Sequence, residues 1–126
     1  MASAAWRIRL TALAAACGFL VVGLAIRALT GQGGDPGTAL YAAMIYAGVF
    51  LLLPKAEPWA AGATAIAFCW VVELLQLTGL PAELSERSVV ARLVLGAQFD
   101  PQDLIWYAVG VLPLVVLHTA VTRHRR

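Results

Sequence analysis

The sequence predicts an all-α, polytopic membrane protein, a compact bundle of four transmembrane helices plus a short interfacial helix, in a single membrane domain over residues 1–126. Three observations predict it. The chain is 61% hydrophobic and 13% charged, whereas a soluble domain carries about a quarter charged residues. Its mean hydropathy is +0.82, so lipid rather than water is the natural solvent for its outside. Its apolar runs approach or reach the roughly 20 residues that cross a hydrocarbon core, and they lack strict alternation. Only helices or closed barrels satisfy their backbone in lipid, and so few segments cannot close a barrel.

The first run covers residues 8–29 and, past Arg9, admits only Thr11 and Arg27 as polar residues. Residues 13–17, ending at Cys17, resemble a lipoprotein cleavage site after two arginines, but the apolar run continues from Gly18 to Ile26. A signal peptide has a shorter apolar region, so an uncleaved helix is expected. Residues 30–37 are rich in glycine with Asp35 and Pro36, a turn in which Asp35 caps the next helix and Pro36 opens its first turn. The second run covers 37–53, and residues 54–58 form a tight turn between two prolines. The third run covers 59–80 and the fourth 102–121. Asp100 before Pro101 reads as a second cap, with Asp103 in the first turn, where the helix dipole favours an acid. Pro113, just after Gly110, is expected to kink the last helix.

Residues 81–100 mix Glu83, Glu86, Arg87 and Arg92 with Leu84, Val89, Val90, Leu93, Val94 and Leu95. With Ser85 as N-cap and Gly96 as a stop, this stretch is too short to span. It is expected to lie in the extracytoplasmic interface or to close over the bundle.

Orientation follows from lysine and arginine. Arg7, Arg9, Lys55, Arg123, Arg125 and Arg126 fall on the side of the N-terminus, and Arg27, Arg87 and Arg92 on the other. The excess places both termini in the cytoplasm of a multi-pass protein of the bacterial inner membrane. Trp6 and Trp59 then mark the inner interface and Trp106 the outer one. The net charge of +2 is accounted for by these helix-end residues, and no basic stripe suggests nucleic acid. The cysteines Cys17 and Cys69 lie in apolar runs and read as small packing residues.

The candidate site lies around Glu73. An acid inside a spanning helix costs on the order of 3 kcal/mol on translocon scales, so it should face the bundle and find a partner. It stands roughly 10 Å below the outer end of its run at 1.5 Å per residue. Gln76 is one turn on, and Ala65 and Cys69 continue the same face as a small-residue stripe suited to close helix contact. Arg27, Arg87 and Arg92 are the cationic partners expected for Glu73. Asp103, Tyr107 and Gly110 share a face of the last helix and add polar groups to that end. Tyr41 and Tyr46 read as packing residues whose hydroxyls need partners. His118 and His124 have no Cys/His cluster around them, so no metal site and no cofactor is expected, and no serine-hydrolase elbow, phosphate loop, dinucleotide fingerprint or zinc-protease motif occurs. No enzyme class is assigned.

As an ordered set, Gly34-Asp35, residues 39–42, Glu73 and Gln76 within 72–77, residues 92–96, Phe99-Asp100, Asp103-Leu104, Tyr107 and Gly110 resemble an uncharacterised bacterial integral-membrane family, Domain of Unknown Function 2809. The resemblance runs from about Arg27 to about Gly110. More distantly, the E-x-x-Q helix and the following D-x-x-x-Y-x-x-G helix are similar to VanZ-like proteins, which are linked to glycopeptide-antibiotic tolerance and envelope lipids. The resemblance implies that Glu73, Gln76, Asp103, Tyr107, Arg87 and Arg92 belong to one site.

The functional expectation is a membrane-embedded binding or interaction protein whose extracytoplasmic polar cluster, with Arg27 at its edge, takes an anionic lipid, a glycolipid head group or a partner. A small transporter or channel is the first alternative and requires a homo-oligomer, because so few helices enclose little volume. An intramembrane enzyme on a lipid-linked substrate, with Glu73 or Asp103 as acid or base, is the second.

Overall fold

Long apolar stretches without interior turn signals fold as helices, and the computed structural model is helical over most of its described residues, 3–30, 34–95 and 101–125. Helix α1 spans Ala4–Thr30, α2 Gly34–Leu52, α3 Pro58–Leu75, α4 Leu80–Arg87, α5 Val89–Leu95 and α6 Pro101–Arg125, with a 3-10 turn at Gln76–Thr78 between α3 and α4. The turn expected at residues 31–33, the stop at Gly96 and the cap at Asp100 lie outside the described residues, as does the side chain of Asp35.

Three stretches, Ala4–Leu29, Pro58–Thr78 and Pro101–Arg123, are long and apolar enough to cross a membrane, while the apolar part of α2, Pro36–Leu52, is shorter. The 19 residues of α2 measure about 28 Å at 1.5 Å per residue, close to the roughly 30 Å hydrocarbon thickness. This short helix is nevertheless the centre of the bundle, packed by α1, α3 and α6.

Helix α1 runs antiparallel to α2: Gly23 approaches Leu40, and Arg9 Nε donates to the Leu51 carbonyl at 3.1 Å. That bond satisfies a carbonyl at the end of α2, where a cation also suits the helix dipole. Helix α6 runs parallel to α2, with Thr38 beside Asp103 and Tyr46 beside His118. Helix α3 runs antiparallel to α6, with Gly62 against Val111 and Val115 and Glu73 against Tyr107. The start of α1 and the far end of α6 therefore lie at the same end of the bundle.

Side-chain size is distributed inside-out relative to a soluble protein. Ala42, Ala43, Ala47, Ala61, Ala65 and Cys69 are buried, while Leu10, Val21, Val71, Leu112, Val116 and Leu117 face outward. Without a hydrophobic drive between helices in lipid, close approach of small residues supplies the packing. The approach is tightest at Gly110, where a Cβ would collide with the backbone carbonyl of Ala39. Pro113 lies within α6.

Residues 81–100 differ from expectation. Among its described residues the stretch holds two short helices rather than one, and Ser85 is buried within α4 instead of capping it. The break falls at Ser88, whose backbone is extended. Its Oγ accepts from the Ala91 N–H at 3.2 Å, the geometry of an N-cap. Upstream, α3 ends sooner than residue 80: it tightens into the 3-10 turn, and Gly79 takes a left-handed φ of 79°, a conformation that glycine adopts at no steric cost.

Candidate functional site

The polar seam sits at the end of the bundle away from the chain's first residues. Glu73, in the last turn of α3, is fully buried, and so are Cys69 and Ala65 on the same face. Val72 and Glu73 close the buried stripe that begins at Pro58. Spacing of three and four residues puts these positions on one side of the helix, which explains how an acid in an apolar run arrives in the interior rather than in lipid.

From α6, Tyr107 Oη donates to Glu73 Oε2 at 2.7 Å. Tyr107 is itself buried, and its ring lies against that of Tyr41 on α2, with centroids 6.1 Å apart and an interplanar angle of 51°. One turn earlier on α6, Asp103 Oδ1 accepts from Thr38 Oγ1 at 3.1 Å. Thr38 and Tyr41 stand three residues apart and so share a face of α2, as Asp103 and Tyr107 share a face of α6. A third bond, from Trp70 Nε1 to the Leu104 carbonyl at 3.1 Å, ties α3 to α6 at the same level.

The structure thus brings Glu73 and Tyr107 into contact and sets Asp103 one turn away against α2. Gln76 opens the 3-10 turn one helical turn beyond Glu73. The three arginines behave differently from expectation: among the described residues, none forms an ion pair with Glu73. Arg27 is exposed on α1, a helix that packs on α2. Arg87 is exposed and stands 3.7 Å from Glu83 on its own helix. Arg92 donates from Nε and Nη2 to the Ser85 carbonyl at 3.2 and 2.8 Å, bracing α5 against α4. For Arg87 and Arg92 the physical reason is the left-handed turn at Gly79, which ends the helix that carries Glu73 before either arginine.

Thr38 was not legible as a site residue, because a threonine one turn into a helix is unremarkable until its neighbour on another helix is known. The Tyr46–His118 pair was missed for the same reason. Their side chains share a hydrogen bond of 2.8 Å, and the His118 ring meets Phe50 edge-on at 5.0 Å, at the opposite end of the α2–α6 seam. Among the described residues no three His, Cys, Asp or Glu side chains gather as they would around a metal ion.

Ala42, Ala65, Cys69, Glu73 and Val111 are all fully buried, so the carboxyl joins helices from within the interior. One interhelical hydrogen bond in a membrane is worth about 1 kcal/mol, and the residue's placement therefore relies on packing as well as on Tyr107.

Among known proteins, no curated protein and no solved structure matches this chain. A family model described as a protein of unknown function, DUF2809, matches residues 32–111. That stretch holds α2 to α5 and the first part of α6, with Thr38, Glu73, Asp103 and Tyr107 inside it and His118 beyond it. The match supports the nearer of the two sequence resemblances; similarity to VanZ-like proteins is not shown by it. With more than half its length matched, the chain belongs to the DUF2809 family.

Proposed function

We propose that the chain is a four-span protein of the bacterial inner membrane with both termini cytoplasmic, and that its extracytoplasmic end binds anionic lipid or glycolipid head groups. The antiparallel order of α1, α2 and α3, with α6 parallel to α2, supports an even number of crossings, and the arginine and lysine excess at the shared end of the termini supports the orientation. In this reading α2 is the second crossing, its shortness tolerated because α1, α3 and α6 cover it.

The observation that carries the binding role is the exposure of Arg27 and Arg87 at the same end as the buried Glu73–Tyr107 pair. Guanidinium groups match phosphate geometry, and these two are turned outward instead of being consumed by the buried acid. Glu73, Tyr107, Asp103 and Thr38 hold α2, α3 and α6 in register beneath them, Gln76 begins the turn that leads to α4, and Arg92 keeps α5 folded against α4.

Native mass spectrometry of protein extracted with phosphatidylglycerol and phosphatidylethanolamine present in equal amounts tests the proposal. Preferential retention of phosphatidylglycerol, lost in the Arg27→Ala/Arg87→Ala double variant, is the expected result. Equal retention of both lipids by the unaltered protein would end the head-group reading.

A further inference from the structure

The stretch from the 3-10 turn to α5 is the part of the molecule that neither the bundle nor the buried seam uses, and its chemistry is graded around the helix. On α4, Pro81 and Ser85 are buried. Going round the helix at 3.6 residues per turn, Leu80 and Leu84 flank that buried face on one side, Glu86 and Glu83 flank it on the other, and Arg87 falls between Leu80 and Glu83. Leu77, Leu80, Leu84, Val89 and Val90 all expose their side chains, Val90 to 69%, although this segment is too short to span. Eight residues of α4 reach about 12 Å at 1.5 Å per residue. The stretch also has fixed limits, because α3 with its 3-10 turn, a candidate span, ends at Thr78, and the next candidate span begins at Pro101. Both ends of the stretch are thereby held at the level of the membrane boundary.

We propose that α4 and α5 lie on the bilayer as a surface clasp, with Leu80, Leu84, Val89 and Val90 dipped into the acyl boundary, Glu83 and Glu86 in water and Arg87 at the level of the lipid phosphates. The occupant of this exposed apolar edge is the lipid surface, not a second protein. Charge placement argues for it: one edge of α4 is apolar and the other charged, the two-faced character of an interfacial helix, with Arg87 at the border between them. The packing agrees, since α4 rests mainly on α5 and on the 3-10 turn, and Arg92 bridges the two short helices through the Ser85 carbonyl. Gly79, with its left-handed backbone, supplies the sharp change of direction from a spanning helix to a surface one. The inference rests on the membrane-spanning reading above and adds where Arg87 is held: at phosphate depth, where the long arginine stem can follow the acyl surface while its head stays wet.

The test is site-directed spin labelling in vesicles of phosphatidylethanolamine and phosphatidylglycerol. Labels are placed singly at Val89→Cys, Val90→Cys, Glu86→Cys and Leu112→Cys in a Cys17→Ser background, and collisions with oxygen and with a water-soluble nickel chelate are compared. Val89 and Val90 should favour oxygen over nickel several-fold more than Glu86 does, with Leu112, outward on α6, favouring it most. If Leu112 reads as hydrocarbon while Val89 and Val90 read as aqueous, or are shielded from both reagents as under a lid, the clasp is refuted and the spanning reading survives. If Leu112 is aqueous too, the spanning reading falls and the clasp with it.

Discussion

The two ends of the α2–α6 seam are held by different chemistry. At one end, Thr38 meets Asp103, and Tyr107 passes on through its hydroxyl to Glu73 of a third helix. At the other, Tyr46 meets His118 and both rings pack against Phe50, within a buried cluster that also takes in Ala12 of α1 and Ala61 of α3. Between them lies a stretch of backbone contact at Ala39 and Gly110 and of small or branched side chains at Ala42 and Val111. The second end needs only aromatic packing and one neutral hydrogen bond. The first buries a carboxyl, an expensive choice in lipid, and uses it to fix α3 relative to α2 and α6 directly beneath the turn that launches α4. The acid is thus placed where geometry must be most exact, below the exposed arginines.

The middle of the seam gives the largest expected effect. A Cβ at Gly110 would strike the Ala39 carbonyl, and backbone cannot step aside as a flexible side chain can. Gly110→Ala should cost about 1–3 kcal/mol, the range for overpacking a close-packed interior, and Gly110→Leu should abolish the folded bundle. Gly62 is the control: there an added Cβ meets a side-chain methyl of Val115 rather than backbone, and a small shift of α6 can relieve it, so Gly62→Ala should cost less. Unfolding in mixed micelles, followed by circular dichroism, checks both. Equal losses would mean that the two ends are not tied through a backbone contact.

Next comes the acid. Glu73→Ala removes the acceptor of Tyr107 and opens a void in a closed interior, and leaving a buried polar group unsatisfied costs roughly 1–3 kcal/mol. Glu73→Gln keeps an acceptor oxygen of the same reach and should retain most of the stability. A glutamine variant as unstable as the alanine one would show that the carboxyl does something other than join helices. A double-mutant cycle of Glu73→Ala with Tyr107→Phe should return a coupling of about 1 kcal/mol or less, the usual range for interhelical hydrogen bonds in membranes.

These contrasts also show what the sequence discloses and what it hides. An acid within an apolar run is visible at once, because its cost in lipid demands a reason, and the spacing from Ala65 through Cys69 to Glu73 points it inward. Spanning runs are equally plain, because composition over some twenty residues averages out local accident. The identity of the partner is not. An arginine is the strongest generic answer to a buried acid, yet Arg87 and Arg92 lie beyond Gly79, whose left-handed turn no count of charges reveals, and Arg27 belongs to a helix that packs on α2. Which tyrosine stands within 2.7 Å of Glu73 is a property of the crossing of α3 and α6, set by small residues far along both helices. Ser85 illustrates the same limit on a smaller scale: it suits a cap as well as Ser88 does, and only the extended backbone at Ser88 decides between them.

The smallest expected effect lies at the aromatic end, and it tests the contrast most directly. Tyr46→Phe deletes one hydroxyl and leaves the edge-on packing with Phe50, whose ring centroid is 5.2 Å away. The lost bond to His118 should cost about 0.6 kcal/mol, the average for such bonds between membrane helices, because a partly exposed imidazole can turn to another partner. Combining it with Tyr107→Phe should give additive losses: at one helical turn per 5.4 Å, the three turns from Tyr107 to His118 place the two bonds well beyond the range at which neighbouring substitutions couple. Additivity would mean that α2 and α6 are fastened at two independent points. A strong coupling would instead mean that the whole seam slides as a unit, and the acid end would lose its claim to a separate role.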